Sequence, residues 1–333
     1  MVNADWSILL PDWQYRGPVP SSNAMPRVIL DCDPGLDDAI AIALALRHAD
    51  LVGISTVGGN VGLDRTTANA LALCDILDAA QVPVHAGHDV PFSGSLEHRA
   101  TEYHGPNGTG SVQLPEPTRQ PCSHDAVDWI VETIRAEEGI SLIATGPLTN
   151  VAHAFDSAPD IINRIHHLSW MGGSSNSGNT TAAAEFNCWV DPEAADIVFR
   201  AGLRQLTMLG LNITHTVLLD RLWIEQLRAG ISTPELTVFA DLLDYYEIRQ
   251  RSMTTLAGAA VHDALAVINV THPDLLAGVD RPVKVILADG AARGMTLVDQ
   301  RPKREPDPPT ARVVDWADGD RIRQLIYDTL VKP

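Results

Sequence analysis

Between Val28 and Leu46 the chain reads VILDCDPGLDDAIAIALAL, and four aspartates, Asp31, Asp33, Asp37 and Asp38, fall within eight residues of it. Asp31 and Asp33 leave a short apolar run that reads as a buried strand. Pro34 and Gly35 then turn the chain, and Asp37 and Asp38 open a helix, Ala39 to Leu46, that is apolar all round and so belongs in the interior. A helix N-terminus carries roughly half a positive charge, which accounts for one or two acids there and not for four. Carboxylates crowded at a strand–turn–helix corner repel one another unless a cation shares them, so the stretch predicts a hard-metal site.

The rest of the chain supplies the frame. Strand-like runs alternate with helical ones: Val28–Leu30, a helix to His48, Val52–Val57, a helix over Arg65–Ala80, Val82–His85, a helix over Asp125–Glu137, and Ser141–Ala144. Ile165–Trp170 and Leu203–Leu209 follow. This alternation predicts an α/β fold with a mostly parallel central sheet, Rossmann-like, with helices on both faces. Leu219–Gly230 and Glu235–Arg251 read as amphipathic helices. After the apolar helix Ala264–Val270, a small antiparallel addition (Pro282–Leu287, Gly294–Val298, Ala311–Val314) and a closing helix, Asp318–Val331, complete the chain. Residues 26–333 read as a single catalytic domain; residues 1–25, with Ser22-Asn23-Ala24 before Met25, read as an N-terminal extension or a cloning remnant.

Composition excludes several classes. A formal net charge of −18 argues against nucleic acid or an anionic membrane as partner. No apolar run reaches the ~18 residues of a membrane span. The four cysteines, Cys32, Cys74, Cys122 and Cys188, form no CxxC pair, which points away from zinc and disulfides and toward a reduced, cytoplasmic setting.

Sites in parallel sheets gather at the carboxyl ends of strands. There the second strand ends in Gly58-Gly59-Asn60, whose glycines allow close backbone approach, although an ordinary turn would explain them too. Thr145-Gly146-Pro147 follows Ser141–Ala144 and offers the Thr145 carbonyl as a neutral oxygen ligand. Met171-Gly172-Gly173 ends the next strand, ahead of a polar loop to Asn179. Glu185 and Asn187, two apart, project to one side if their segment is extended, and Asp191 reads as a helix N-cap. His262-Asp263 places another acid at a helix start. The long Gly/Pro-rich segment from Ala86 to Pro121, which holds His104, reads as a structureless lid or binding loop. Asp33, Asp37, Asp38, the Thr145 carbonyl and Asp263 together offer only oxygen, which suits Ca²⁺ or Mg²⁺, and the carboxylates and carbonyl favour the larger ion. Asn60, Asn179, Glu185 and Asn187 add amide and carboxylate groups suited to a polyhydroxyl ligand. No GxxxxGK[ST] loop is present, so a neutral sugar fits better than a nucleotide.

With these motifs in hand, the sequence resembles the inosine–uridine-preferring nucleoside hydrolase family from about Arg27 to the C-terminus. DCDPGLDD at 31–38, TGPLTN at 145–150, MGG at 171–173, AEFN at 184–187, DPEAA at 191–195 and the HD pair at 262–263 occur in the family's order. The resemblance implies hydrolysis of the N-glycosidic bond of a ribonucleoside to free base and ribose, with a tightly held Ca²⁺. It implies that Asp33, Asp38, the Thr145 carbonyl and Asp263 hold the metal and that Asp33 takes a proton from water. Asp37 and Asn60 are expected at the ribose 2′-OH, Asn187 and Asp263 at the 3′-OH, and Asn179 with Glu185 at the 5′-OH. Met171 would pack on the sugar, His262 would act near the leaving base, and His104 would be a further base contact. Asp31 is left as support beneath Asp33. The family commonly forms dimers or tetramers, so a homo-oligomer is expected. A purine-specific branch carries tryptophan before the last metal aspartate; His262 at that position points instead to the branch that accepts inosine, uridine or both.

Three rivals define the tests. A haloacid-dehalogenase-like phosphatase also has a DxD after its first strand, but it needs a phosphate-binding lysine that this chain does not place after a strand. A non-catalytic, calcium-dependent ribose- or nucleoside-binding protein would keep the same ligands and release no ribose. A hydrolase of another ribosyl compound, such as nicotinamide riboside, would differ only in the substrate it accepts.

Overall fold

The computed structural model describes residues 25–94, 99–302 and 307–331; the N-terminal extension before Met25 and Pro306 of the proline-rich loop lie outside them. The first half of the chain runs β1 (Arg27–Cys32), α1 (Asp38–His48), β2 (Asp50–Thr56), α2 (Leu63–Ile76), β3 (Val84–Ala86), α3 (Thr101–His104), α4 (Ala126–Ala136), β4 (Ser141–Ala144), α5 (Thr149–Ser157) and β5 (His167–Met171). It continues with α6 (Phe186–Val190), α7 (Pro192–Arg200), β6 (Leu206–Leu209), α8 (Leu211–Thr214), β7 (Leu218–Leu219), α9 (Arg221–Gly230) and α10 (Thr237–Met253). The last part holds β8 (Ala259–Ala260), α11 (His262–Thr271), β9 (Leu276–Arg281), β10 (Val283–Val285), β11 (Thr296–Val298), β12 (Ala311–Ala317) and α12 (Gly319–Val331).

Eight strands form the main sheet in the order β3-β2-β1-β4-β5-β6-β12-β9, all parallel except β9, which runs antiparallel to β12. The order reverses between β1 and β4, and a doubly wound sheet opens a crevice at that point beyond the strand ends. β1 is central and buried on both faces, which is why its sequence is a nearly unbroken apolar run. Val28, Leu30 and Cys32 enter one core, with α1, α10, α11 and α12, while Ile29 enters the other, with α4, α5 and α7. Helix α1 is buried along Asp38–Ala45 because it packs on the sheet beside the equally apolar α11 and against α12. Truncating the fully buried Leu44 to alanine would cost about 2–5 kcal/mol.

Three expectations need correction. The antiparallel addition contains only β10 and β11; β12 joins the main sheet beside β6, and its antiparallel partner β9 escapes the sequence reading. β9 reads LAGVDR, with glycine and charges on a half-exposed edge, so no apolar run marks it. The segment 86–121 is not structureless, since α3 brings His104 inward. The helix expected to reach Ala80 stops at Ile76, just before Asp78 takes a left-handed backbone with φ 53°. Among the described residues, no helix is long and apolar enough to cross a membrane.

Candidate active site

A cavity of about 420 Å³ lies beyond the carboxyl ends of β1 and β4, lined at its acidic end by Asp33, Asp37, Asp263, Asn60 and Thr145. Asp33 follows β1 and is held without freedom. Its Oδ2 accepts the Asn60 N–H at 2.7 Å, and the Asn60 side chain donates back to the Asp33 carbonyl at 3.1 Å. A Cβ at Gly59 would fall 2.0 Å from Asp33 Oδ2, and one at Gly146 would fall 2.6 Å from Oδ1. The two glycines after β2 and β4 thus let two backbones close on one carboxylate.

Asp37 caps α1, Asp38 is its first residue, and Asp263 lies in the first turn of α11, so two packed helices aim their positive ends at the same carboxylates. Oxygen atoms of Asp37, Asp38 and Asp263 all lie within 4.8 Å of one another. Asp38 also accepts from the Gly35 N–H at 2.9 Å and the Thr145 hydroxyl at 2.8 Å. Burial is the main cause that pushes each acid up. Asp37 reaches about 8, with the Asp38 charge adding to it, and Asp33, Asp38 and Asp263 rise as well. No lysine or arginine lines the cavity among the described residues. Four buried acids without a basic neighbour lack countercharge, and the all-oxygen donor set fits a hard divalent cation. Asp37, Asp38 and Asp263 are therefore able to coordinate a metal ion. The sequence keeps Asp37 for the sugar and Asp33 for the metal; the structure groups Asp37 with Asp38 and Asp263 and sets Asp33 beside them.

The polar ring is present, but its groups are partly committed. Both amide protons of Asn187 are engaged, by the Thr145 carbonyl at 2.7 Å and the Met171 carbonyl at 3.1 Å, so its Oδ1 is what faces a ligand. Asn60 likewise spends its amide donors on the Asp33 carbonyl and Asp38 Oδ2. Glu185 and Asn187 do not sit in an extended segment as expected: Glu185 caps the short helix α6 and accepts from the N–H groups of Asn187, Cys188 and Gly173. These bonds oppose burial, which still raises Glu185 to about 7. Asn179 is exposed and its Oδ1 accepts the Phe186 N–H at 3.0 Å, while Met171 is buried; both line the cavity. Asp191 caps α7, as its sequence position predicts, and also accepts the Thr149 hydroxyl at 2.6 Å.

His104, His215, Tyr246, Gln250 and His262 also line the cavity, with His104 reaching back to the Asp33–Asp37 turn. Burial pushes His262 down to about 3 and His104 to about 4, which favours the uncharged ring in each. His104 Nδ1 accepts the Leu36 N–H at 3.3 Å, and His262 Nδ1 meets the Thr214 hydroxyl at 2.8 Å. The sequence assigns no role to Thr214 or His215, and Tyr246 and Gln250 fall on the amphipathic helix expected over Glu235–Arg251 without a role of their own. The available signal was position, since Thr214-His215 lies just past the carboxyl end of β6. Asp31 supports from below: its Oδ1 accepts Ser55 Oγ at 2.6 Å and Asn150 Nδ2 at 2.8 Å, and burial raises it to about 6.

Fold, acid cluster and cavity define a metal-assisted glycosidase. The family model described as inosine-uridine preferring nucleoside hydrolase matches residues 28–324, and the chain belongs to that family. It is 39% identical over 296 residues to the pyrimidine-specific ribonucleoside hydrolase RihA of Enterobacter sp. (strain 638), covering 88% of this chain and 93% of that one. Among solved structures, the purine-preferring ribonucleoside hydrolase from Gardnerella vaginalis superposes with a TM-score of 0.85 at 32% identity, covering 92% and 98% of the two chains. The plant nucleoside hydrolase PpNRh1 gives 0.85 at 30% identity, covering 92% and 99%. The protein is a nucleoside hydrolase: it cleaves the N-glycosidic bond of ribonucleosides using aspartates, a metal ion and water.

Proposed function

We propose that the metal is Ca²⁺ and that the preferred substrates are pyrimidine ribonucleosides, uridine and cytidine. The observation that carries the calcium assignment is the buried acid cluster, Asp37, Asp38 and Asp263, with Asp33 beside it and no basic side chain at the cavity. Asp33, Asp38, Asp263 and the Thr145 carbonyl would hold the ion, with Asp37 close enough to share its charge while facing the ribose. A cation bound there would supply the positive charge that makes a nearby water more acidic.

Asp33 takes the proton of the attacking water, a role typically worth about 10²–10⁴-fold. Its clamp between Gly59 and Gly146 fixes the orientation of the carboxylate. As the C1′–N bond lengthens, positive charge grows on the sugar, and the surrounding carboxylates stabilise it. Asp37 and Asn60 bind the 2′-OH, Asn187 and Asp263 the 3′-OH, and Asn179 with Glu185 the 5′-OH, while Met171 packs on the ring. Asn60 and Asn187 accept from these hydroxyls through Oδ1, because their amide protons are already engaged.

His262 donates a hydrogen bond to the departing base, and His104 is a second base contact. The pyrimidine preference rests on Gln250 and on the named relatives. Gln250 Oε1 accepts the Ala260 N–H at 2.7 Å, which leaves its amide donors for a pyrimidine carbonyl. No tryptophan lines this cavity among the described residues.

A reducing-sugar assay over uridine, cytidine, inosine, adenosine, guanosine and nicotinamide riboside, with and without strong chelation, tests the reading. The expected result is ribose from uridine and cytidine foremost, loss on chelation restored by Ca²⁺, and near-complete loss in Asp33→Ala. Binding of calcium and ribose with no release from any compound would make this a binding protein. Faster release from nicotinamide riboside or a purine nucleoside would overturn the substrate assignment.

A further inference from the structure

Thr214 is the last residue of α8 and is fully buried. Its hydroxyl has one hydrogen-bond partner among the described residues, His262 Nδ1 at 2.8 Å. The nearby Thr216 behaves differently and returns its hydroxyl to the Ile213 carbonyl at 2.7 Å, the usual habit of threonine near a helix end. No backbone carbonyl takes the Thr214 proton in this way.

That single partner decides the direction of the bond. If Nδ1 carried the ring proton, Thr214 would accept and its own buried hydroxyl proton would have no acceptor, an arrangement folded proteins avoid. The hydroxyl therefore donates to Nδ1, and in a neutral ring the proton then sits on Nε2. Nε2 makes no hydrogen bond within the described residues, and the ring lines the cavity beside Tyr246 and Gln250. His215 packs against the same ring in a T-shaped contact, with centroids 5.5 Å apart, and limits its rotation.

We propose that Thr214 is a positioning residue that fixes His262 as its Nε2–H tautomer, so that the ring meets the leaving base with a donor. The inference rests on the leaving-group reading of His262 given above. In the step concerned, the electron pair of the C1′–N bond passes to the base and the water oxygen bonds C1′. His262 keeps its proton and donates only a hydrogen bond. The proton that Asp33 removes from water returns to the base through solvent, so atoms and charge balance.

Leaving-group chemistry separates this role from a structural one. Uridine needs help for its departing base, whereas 4-nitrophenyl riboside expels a phenolate that is stable without a donor. The readout is the ratio of kcat on uridine to kcat on the aryl riboside. Thr214→Val, which keeps the shape and removes the hydroxyl, is expected to lower that ratio on the order of tenfold, the weight of one hydrogen bond. Thr214→Ser is expected to restore it, and His262→Ala to lower it further.

An unchanged ratio in Thr214→Val alongside a collapsed ratio in His262→Ala would overturn the role of Thr214 and leave His262 in place. An unchanged ratio in His262→Ala would remove the reading on which the proposal stands. Equal loss in Thr214→Ser and Thr214→Val would assign the effect to packing and overturn the proposal. Ring-nitrogen shifts of His262 in ¹⁵N-histidine-labelled wild-type protein read the tautomer without any variant. A protonated Nε2 is expected, and a protonated Nδ1 would refute the assignment.

Discussion

Replacing Gly59 by alanine puts a single methyl group against the proposed catalytic base. The new Cβ would lie 2.0 Å from Asp33 Oδ2, 2.8 Å from its Cγ and 2.9 Å from Pro147 Cδ. Even close carbon–oxygen contacts need about 3.3 Å, so the carboxylate or its loop must move by roughly 1 Å. Gly59 does not occupy the left-handed region, so alanine can take its backbone and the conflict falls on Asp33 rather than on local strain. A 1 Å misplacement of a reacting group costs about 10²-fold. The Asn60 N–H bond to the carboxylate would also weaken, and hydrogen bonds to charged groups contribute about 1.5–3 kcal/mol. Gly59→Ala is therefore expected to lose about 10²–10³-fold in kcat on uridine. KM should rise too, since Asp33 and Asn60 also serve binding, but by less than kcat falls, because Asn179, Glu185 and Asn187 reach the cavity from another segment.

Initial rates of ribose release measure this loss, with thermal melts to confirm the fold. Gly62→Ala is the matched control: its nearest atom would be Asp89 Oδ1 at 3.8 Å, and normal activity is expected. A Gly59→Ala enzyme within about threefold of wild type would refute the clamp argument, since no threefold effect fits a displaced base.

Other consequences follow from the same geometry. Without a cation, the raised acids hold protons in the folded state that the unfolded chain has already lost. Stability should then fall as pH rises from the ordinary 3.8 of Asp37 toward its folded value of about 8. Scanning fluorimetry in chelator should show this decline, and added Ca²⁺ should raise Tm much more at pH 8 than at pH 5; a flat profile in chelator would contradict it. Asp263→Asn should weaken calcium binding measured by titration calorimetry, because it removes one of three mutually close carboxylates; unchanged affinity would take Asp263 out of the metal set. Asn150→Ala should destabilise the fold by about 2–3 kcal/mol in urea unfolding, since it strips a bond from buried Asp31 and another from the Thr56 carbonyl. A loss below ~0.5 kcal/mol would show that Asp31 does not depend on it.

Sequence and structure agree most closely where function sits on neighbours in the chain. Asp33, Asp37 and Asp38 share one turn, so their crowding is visible as text, and Gly58-Gly59 announces the close approach that the Asp33 clamp requires. The parallel strands were legible for a similar reason, because burial on both faces leaves an apolar run. β9 was not, because an edge strand need not be apolar. Asn187 and Glu185 both line the cavity, but not through the extended geometry expected of them: they converge because Glu185 caps a helix turn that also holds Asn187.

The proposed base contacts were the least legible part of the cavity, and the reason is physical. They come from α3, α8, α10 and α11, and only packing brings them together. Periodicity shows that α10 has a buried face, but it does not distinguish core from cavity wall, so Tyr246 and Gln250 look like any buried stripe. Three of the four acids are specified within one corner of the chain, whereas the proposed base contacts depend on how α8 and α10 lie against α11. A shift of α10 would move Tyr246 and Gln250, the proposed base contacts, while the backbone of the Asp33–Asp38 corner is set by β1 and α1.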